Sequence, residues 1–280
     1  MDYIEVRIDV KGQSEQAEML TALLAEIGFE SFVEEENSLL SYIPEQVFDE
    51  NVLKDFFENS FPSLAEVYSW KKIPQTNWNA VWESNYDPVF IDNKVCIRAP
   101  FHPKPENMEL DLIIEPKMSF GTAHHPTTAQ MIQLMLEEDF ENKQVLDMGC
   151  GTAVLAIIAS KKGCFHVDAI DIDEWSCENS EENAQRNNCD NIAVFQGDAS
   201  FLNENTKSKY DIILANINKN ILLRDLSIYE NSLKAGGLIF MSGFYESDLN
   251  DIDSTCKQLN MKLQKQSVSK DWCAAIWQKN

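Results

Sequence analysis

A strand running into a glycine turn and then a helix builds an anion site, and residues 145–157, VLDMGCGTAVLAI, read in that order. The apolar run ends at Asp147, Gly149-Cys150-Gly151 makes the turn, and a helix begins near Thr152. Glycines allow tight backbone geometry and close approach of a ligand. The helix N-terminus adds free N–H groups and a positive end. Such a loop suits the pyrophosphate of a dinucleotide or the amino-acid carboxylate of S-adenosylmethionine. Two carboxylates follow at the ends of later strand-like runs. Asp171, in VDAIDID, stands 20 residues after Gly151, where a carboxylate can accept hydrogen bonds from both hydroxyls of a ribose. Asp198, in Gln196-Gly197-Asp198, can hold the exocyclic amine of an adenine. Each has a bland reading alone: a tight turn, a solvated strand end, a helix cap. Their order and spacing, all at strand C-terminal ends, favour a nucleoside-containing cofactor.

The two cofactor classes differ at one position. The dinucleotide fingerprint has a small third residue that lets the helix pack on the strand. Here that residue is Val154, which is bulky and counts against a dehydrogenase. The form Asp147-x-Gly149-x-Gly151 resembles the cofactor loop of class I methyltransferases. The run ILANI, with Asn216 at its end, resembles their fourth motif, whose residue faces the transferring methyl group.

The segment EPKMSFGTAHHPTT, residues 115–128, is far more specific. With VLDMGCGTA, AIDID and ILANI it resembles the PrmA family, the ribosomal protein L11 methyltransferases, over about residues 115–245. The N-terminal region is similar in size and strand order. Family members read F-G-T-G-x-H-x-T-T, and Ala123 stands here for the second glycine, which stiffens the loop. The resemblance implies S-adenosylmethionine as cofactor, contacted by Thr128, Gly149, Asp171 and Asn216, with Phe120 and Thr122 in a covering loop. Asp147 and Gly151 complete the glycine loop, and Asp198 serves the purine. The substrate implied is a large-subunit ribosomal stalk protein, methylated on lysine side chains and the N-terminal amine.

Asn216 is then the catalytic residue. Its side-chain oxygen can accept an N–H hydrogen bond and aim an amine lone pair; Asn218 is a second candidate. No dedicated base stands out, so the proton leaves to water. His124 and His125 are read as loop hydrogen bonds, because no third ligand stands at metal-site spacing. Cys150 is read as a small buried filler. The alternative reading is a class I methyltransferase acting on RNA or a small molecule.

Elements must position these residues. Residues 1–74 alternate as β-α-β-β-α-β, a small ferredoxin-like α+β domain. Its second helix is expected from about Val47 to Phe61. Residues 75–100 read as a linker with connecting strands, in which Trp78, Trp82 and Tyr86 fall on one face of a short helix that packs as a hinge. Residues 101–280 alternate strand and helix, which argues for a Rossmann-like α/β sheet with helices on both faces. Helices are expected at 152–162, 174–188 and 220–234, and the last two strands form a hairpin that adds an antiparallel edge.

Bulk properties bound the partners. Acidic residues number 46 against 23 basic, and residues 1–100 carry 19 against 7. Such a surface repels phosphate backbones, so no direct nucleic-acid binding is expected, and it suits a basic ribosomal protein. Seven scattered cysteines without a C-x-x-C pair fit a reducing compartment. No apolar run reaches the roughly 20 residues of a membrane helix, and MDYIEVRIDV is a charged strand, not a signal segment. A cytoplasmic monomer is expected.

Overall fold

A computed structural model describes residues 2–10, 14–64, 68–74, 86–117, 119–202 and 206–280. The expected Trp78–Trp82 helix lies outside the described residues. The chain divides into two compact units, Met1–Asn85 and Tyr86–Asn280, so the connecting strands expected within residues 75–100 belong to the second.

In the first unit, β1 (Tyr3–Asp9) alternates, with Ile4, Val6 and Ile8 buried. It is followed by α1 (Ser14–Glu26), β2 (Ser31–Glu35), β3 (Ser38–Pro44), α2 (Glu50–Ser60) and β4 (Tyr68–Ile73). The sheet order is β2-β3-β1-β4, antiparallel throughout, which is the ferredoxin-like arrangement. Leu20, Leu24, Leu53 and Phe57 of the helices fill one core with the β1 residues. Helix α2 starts at Glu50 rather than Val47, because the Asp49 carboxylate caps it by accepting from Asn51 N–H at 2.8 Å.

The second unit opens with a three-stranded sheet of β5 (Val89–Ile91), β6 (Val95–Arg98) and β7 (Leu110–Ile113). A paired Arg98–Asp111 fork joins the last two, with nitrogen–oxygen distances of 2.7 and 2.9 Å. Helix α3 (Pro126–Glu137) precedes the main sheet. That sheet comprises β8 (Gln144–Met148), β9 (His166–Asp171), β10 (Ile192–Gln196), β11 (Tyr210–Asn216), β12 (Leu233–Tyr245), β13 (Met261–Ser269) and β14 (Trp272–Lys279). Its order is β10-β9-β8-β11-β12-β14-β13. The first five strands are parallel and the closing hairpin is antiparallel. Helices α4 (Val154–Lys161), α5 (Glu174–Arg186), α6 (Lys219–Ser232) and α7 (Leu249–Gln258) complete the unit.

Two cores lie on opposite faces of this sheet, and neighbouring strand residues divide between them. Val145 and Leu214 join α3, α4 and α5 on one side, while Leu146 and Ile213 join Leu226, Tyr229 and Trp277 on the other. Strand order reverses where β9 and β11 flank β8, which opens a crevice at the C-terminal ends of those strands.

Candidate cofactor site

A cavity of about 410 Å³ lies in that crevice, within the range of small-molecule sites. Phe120, Gly149, Gly151, Asp171, Asp198 and Asn216 all line it, so six of the residues singled out in the sequence meet there. Asp147, Thr122 and Thr128 do not line it; Asp147 and Thr128 are buried, and Thr122 is half-buried. A larger groove of about 510 Å³ sits at the opposite ends of the strands, lined by Glu138, Lys143, Asp211 and Lys265, away from the glycine loop.

The glycine loop is held from several sides. Gly149 and Gly151 adopt φ of 72° and 57°, the left-handed region that glycine tolerates. A Cβ on Gly151 would collide with the Phe120 carbonyl oxygen, and one on Gly149 with the Ile217 side chain. Gly149 and Cys150 N–H both donate to the Ile170 carbonyl, at 2.8 and 3.1 Å. Thr152 N–H donates to Phe120 O at 3.0 Å, and its hydroxyl donates to Gly121 O at 2.8 Å. These bonds bind the 120–125 segment to the glycine loop. From α5, Ser180 Oγ donates to Gly151 O at 2.8 Å and Asn183 Nδ2 to Thr152 O at 3.1 Å. Cys150 is buried, with its Sγ 3.4 Å from Ser180 Oγ.

The carboxylates occupy three environments. Asp147 is buried beneath the loop and accepts from Ala156 N–H at 3.0 Å, in the first turn of α4. Burial pushes its pKa up to about 7; the Ala156 hydrogen bond opposes this and the Asp171 charge adds to it. Asp171 accepts from Gly151 N–H at 2.9 Å and from Asp173 N–H at 3.0 Å, one on each oxygen. A carboxylate has about four acceptor sites, so both oxygens keep capacity for a diol. Asp198 accepts from Ser200 N–H at 2.9 Å, and this bonding to Ser200 holds its pKa below the usual carboxylate range.

At the far wall Asn216 ends β11. Its Nδ2 donates to Thr128 Oγ1 at 3.1 Å, while its buried Oδ1 has no hydrogen-bond partner among the described residues. Thr128 sits in the first turn of α3, whose N-cap is His125 accepting from Thr127 N–H at 3.4 Å. His124 bridges Thr122 Oγ1 at 3.1 Å and Asp87 O at 3.0 Å. Both histidines are therefore occupied in shaping the loop. Ala123 has φ of 64° and is buried among the core residues, so its methyl group packs where the resemblance has a glycine. Among the described residues no group of three or more metal-ligating side chains converges.

Several cavity residues were not singled out in the sequence. Ile172, 72% exposed, follows Asp171 directly, an apolar side chain between two carboxylates. Ile217 and Met148 follow and precede named residues in the same way. Arg224, Asp225 and Tyr229 reach the cavity from α6, and nothing in their local sequence marks them. The residues present fit a nucleoside-containing cofactor: the glycine cradle leaves no room for a Cβ, Ile172 and Met148 offer apolar surface, and an unpaired acceptor stands at Asn216.

The family model described as ribosomal protein L11 methyltransferase (PrmA) matches residues 2–280. A ribosomal protein L11 methyltransferase of Phocaeicola vulgatus is 42% identical over 277 residues, covering 98% of each chain. One of Porphyromonas gingivalis is 43% identical over 259 residues, covering 92% of this chain and 89% of the relative. The crystal structure of a ribosomal protein L11 methylase from Lactobacillus delbrueckii subsp. bulgaricus superposes with a TM-score of 0.62 at 25% identity, over 70% of this chain and all of that one. A methyltransferase from Pyrococcus furiosus shares the fold, with a TM-score of 0.50 at 20% identity over 60% of this chain and 89% of that one.

Proposed function

Since the chain belongs to the PrmA family of ribosomal protein L11 methyltransferases, we propose that it methylates ribosomal protein L11 on amino groups, the lysine side chains and N-terminal amine of that stalk protein. S-adenosylmethionine supplies the methyl group, activated on a sulfonium. The chain's own residues bind, orient and shield. The glycine loop and the N-terminus of α4 face an amino-acid carboxylate. Asp171 keeps acceptor capacity for ribose hydroxyls, Asp198 for a purine amine, and Ile172 offers the purine an apolar face. Thr128 supports Asn216, Phe120 and Thr122 belong to the covering segment, and Asp147 braces the helix start.

The observation that carries the reading is the unpaired Asn216 Oδ1. The Thr128 contact fixes the amide, leaving an unpartnered acceptor on a residue that lines the cavity. An amine attacks only when neutral, yet a lysine has a reference pKa of about 10.4. Partial burial and a nearby positive charge favour the neutral form. Asn216 then accepts one N–H, which aims the nitrogen lone pair, and the proton lost on alkylation passes to water. The acidic N-terminal unit favours encounter with a basic protein over RNA.

The test is mass spectrometry of ribosomal proteins incubated with the protein and isotopically labelled S-adenosylmethionine. Label is expected on L11 alone, at amino groups. Cofactor binding with label on no protein overturns the substrate assignment and leaves the fold and cofactor assignments standing.

A further inference from the structure

Two histidines grip consecutive peptide carbonyls where the chain enters the second unit, whose first residue is Tyr86. His102, in the loop after β6, brings Nε2 to Tyr86 O at 2.6 Å. His124, in the segment that carries Phe120, brings Nε2 to Asp87 O at 3.0 Å. A carbonyl only accepts, so each Nε2 carries its hydrogen, and Nδ1 of the neutral ring is left as an acceptor. Those acceptors are used as well. His102 Nδ1 accepts from Ala99 N–H at 3.1 Å, and His124 Nδ1 from the Thr122 hydroxyl at 3.1 Å. The Tyr86 ring packs near both, 4.8 Å from the His124 ring and 6.1 Å from that of His102.

The grip matters because of what His124 is attached to. The inner end of its segment is bonded to the glycine loop through Thr152, and there Phe120 lines the cofactor cavity. His124 is at the outer end, exposed, and lines no part of that cavity. Between the two ends Gly121 and Ala123 adopt φ of 111° and 64°, tight turns that leave little slack between Phe120 and His124. The cover is therefore fixed at two points, one on the glycine loop and one on Asp87.

We propose that His124 is a positioning residue: it latches the Phe120 segment to Asp87 and so slows escape of the cofactor, and His102 supports the latch by fixing Tyr86, the residue before. The assignment rests on the S-adenosylmethionine reading of the cavity. His125 is the contrasting case, because its ring caps α3 and holds nothing at residues 86–87.

Amide side chains separate the two ring nitrogens. Asparagine places an acceptor oxygen near the position of Nδ1 and falls short of Nε2, whereas glutamine reaches Nε2 with an N–H donor. The readout is dissociation of labelled S-adenosylhomocysteine chased with excess unlabelled compound, beside its association rate. His124→Asn should keep the Thr122 contact, lose Asp87 and speed dissociation about threefold to tenfold with association unchanged. His124→Gln should stay within about twofold of the wild type. His102→Asn should keep the Ala99 bond, release Tyr86 and also speed dissociation, by a smaller factor, although His102 does not line the cavity. A His124→Asn protein that releases the ligand no faster than His124→Gln overturns the latch. An effect confined to the association rate overturns it too. Fast release from His124→Asn with a wild-type rate from His102→Asn overturns the part given to His102. Failure of the wild type to bind S-adenosylhomocysteine overturns the cofactor reading together with this one.

Discussion

Replacing Gly151 by alanine separates two reasons for a glycine. At φ of 57° an alanine occupies the left-handed region, at a cost of about 1–2 kcal/mol. The new Cβ also meets the Phe120 carbonyl oxygen, which is backbone and cannot rotate away. Relief requires moving the 120–121 segment, which breaks the 3.0 Å bond from Thr152 N–H to Phe120 O, worth about 1 kcal/mol. The same shift moves Phe120, and it disturbs the Gly151 N–H that holds Asp171 at 2.9 Å. The sum is about 2–3 kcal/mol, or a fall in melting temperature of roughly 4–12 °C for a domain of this size. Affinity for S-adenosylhomocysteine should drop at least about tenfold, because two cavity contacts move together. Gly236→Ala is the control: its φ is 75°, but an added Cβ meets nothing within 4 Å, and it lies at the other end of the strands. It should show the backbone cost alone with unchanged affinity. If both variants lose equal stability and both bind like the wild type, the close approach of Phe120 is not what demands glycine at 151.

Other perturbations follow from the same geometry. Asn216→Ala should lower kcat about 10- to 100-fold while S-adenosylhomocysteine affinity stays within a few-fold; near-normal turnover in a single-turnover assay would remove Asn216 from the reaction. If the partner is basic, as proposed, the apparent KM for L11 should rise between about 50 and 300 mM salt, since residues 1–100 carry 19 acidic residues against 7 basic. A salt-independent KM would count against that steering. Asp147, with its pKa pushed up to about 7, holds a proton in the folded state that an unfolded aspartate releases near pH 4. Its contribution therefore falls as pH rises from about 4 to 7 and stays lost above that. Asp147→Asn can still accept from Ala156 N–H without ever ionising, so urea unfolding should show it gaining about 2–3 kcal/mol on the wild type between pH 5 and 8. A gap that does not change with pH would show the carboxyl ionised throughout.

The sequence was most legible where backbone geometry itself is the function. Strand, glycine turn and helix at 145–157 are a local pattern, and Asp171 and Asp198 stand at strand ends that periodicity reveals. Helix α7, residues Leu249–Gln258, was not anticipated: it turns only Ile252 and Cys256 fully into the core, and the rest of LNDIDSTCKQ is polar. The expected start of α2 at Val47 falls three residues before the observed one, and Asp49 is the cap that marks the difference. Strand order could not be read either. That β14 lies between β12 and β13 is a matter of long-range pairing, invisible to a local window. Tyr229 and Arg224 were hidden for the same reason. Their position along α6 is that of ordinary helix residues, and only packing of α6 beside the 199–201 turn brings them to the cavity.

The cofactor loop is satisfied internally, whereas an acceptor of Asn216 is left open. The glycine loop is braced by hydrogen bonds from Ile170, Ser180, Asn183 and the 120–121 segment, all within the protein. Asp171 is oriented by two backbone N–H groups before any ligand arrives. Nothing at that end needs to rearrange on binding, which limits the entropy lost there. Asn216 Oδ1 is different: it is buried without a partner among the described residues, and such an atom costs roughly 1–3 kcal/mol. A protein stabilised by only about 5–15 kcal/mol carries such an atom at a considerable fraction of its margin. Stability is lowered where the ligand would restore it, so what the bound ligand regains there appears as tighter binding and, through mass action, as a higher melting temperature.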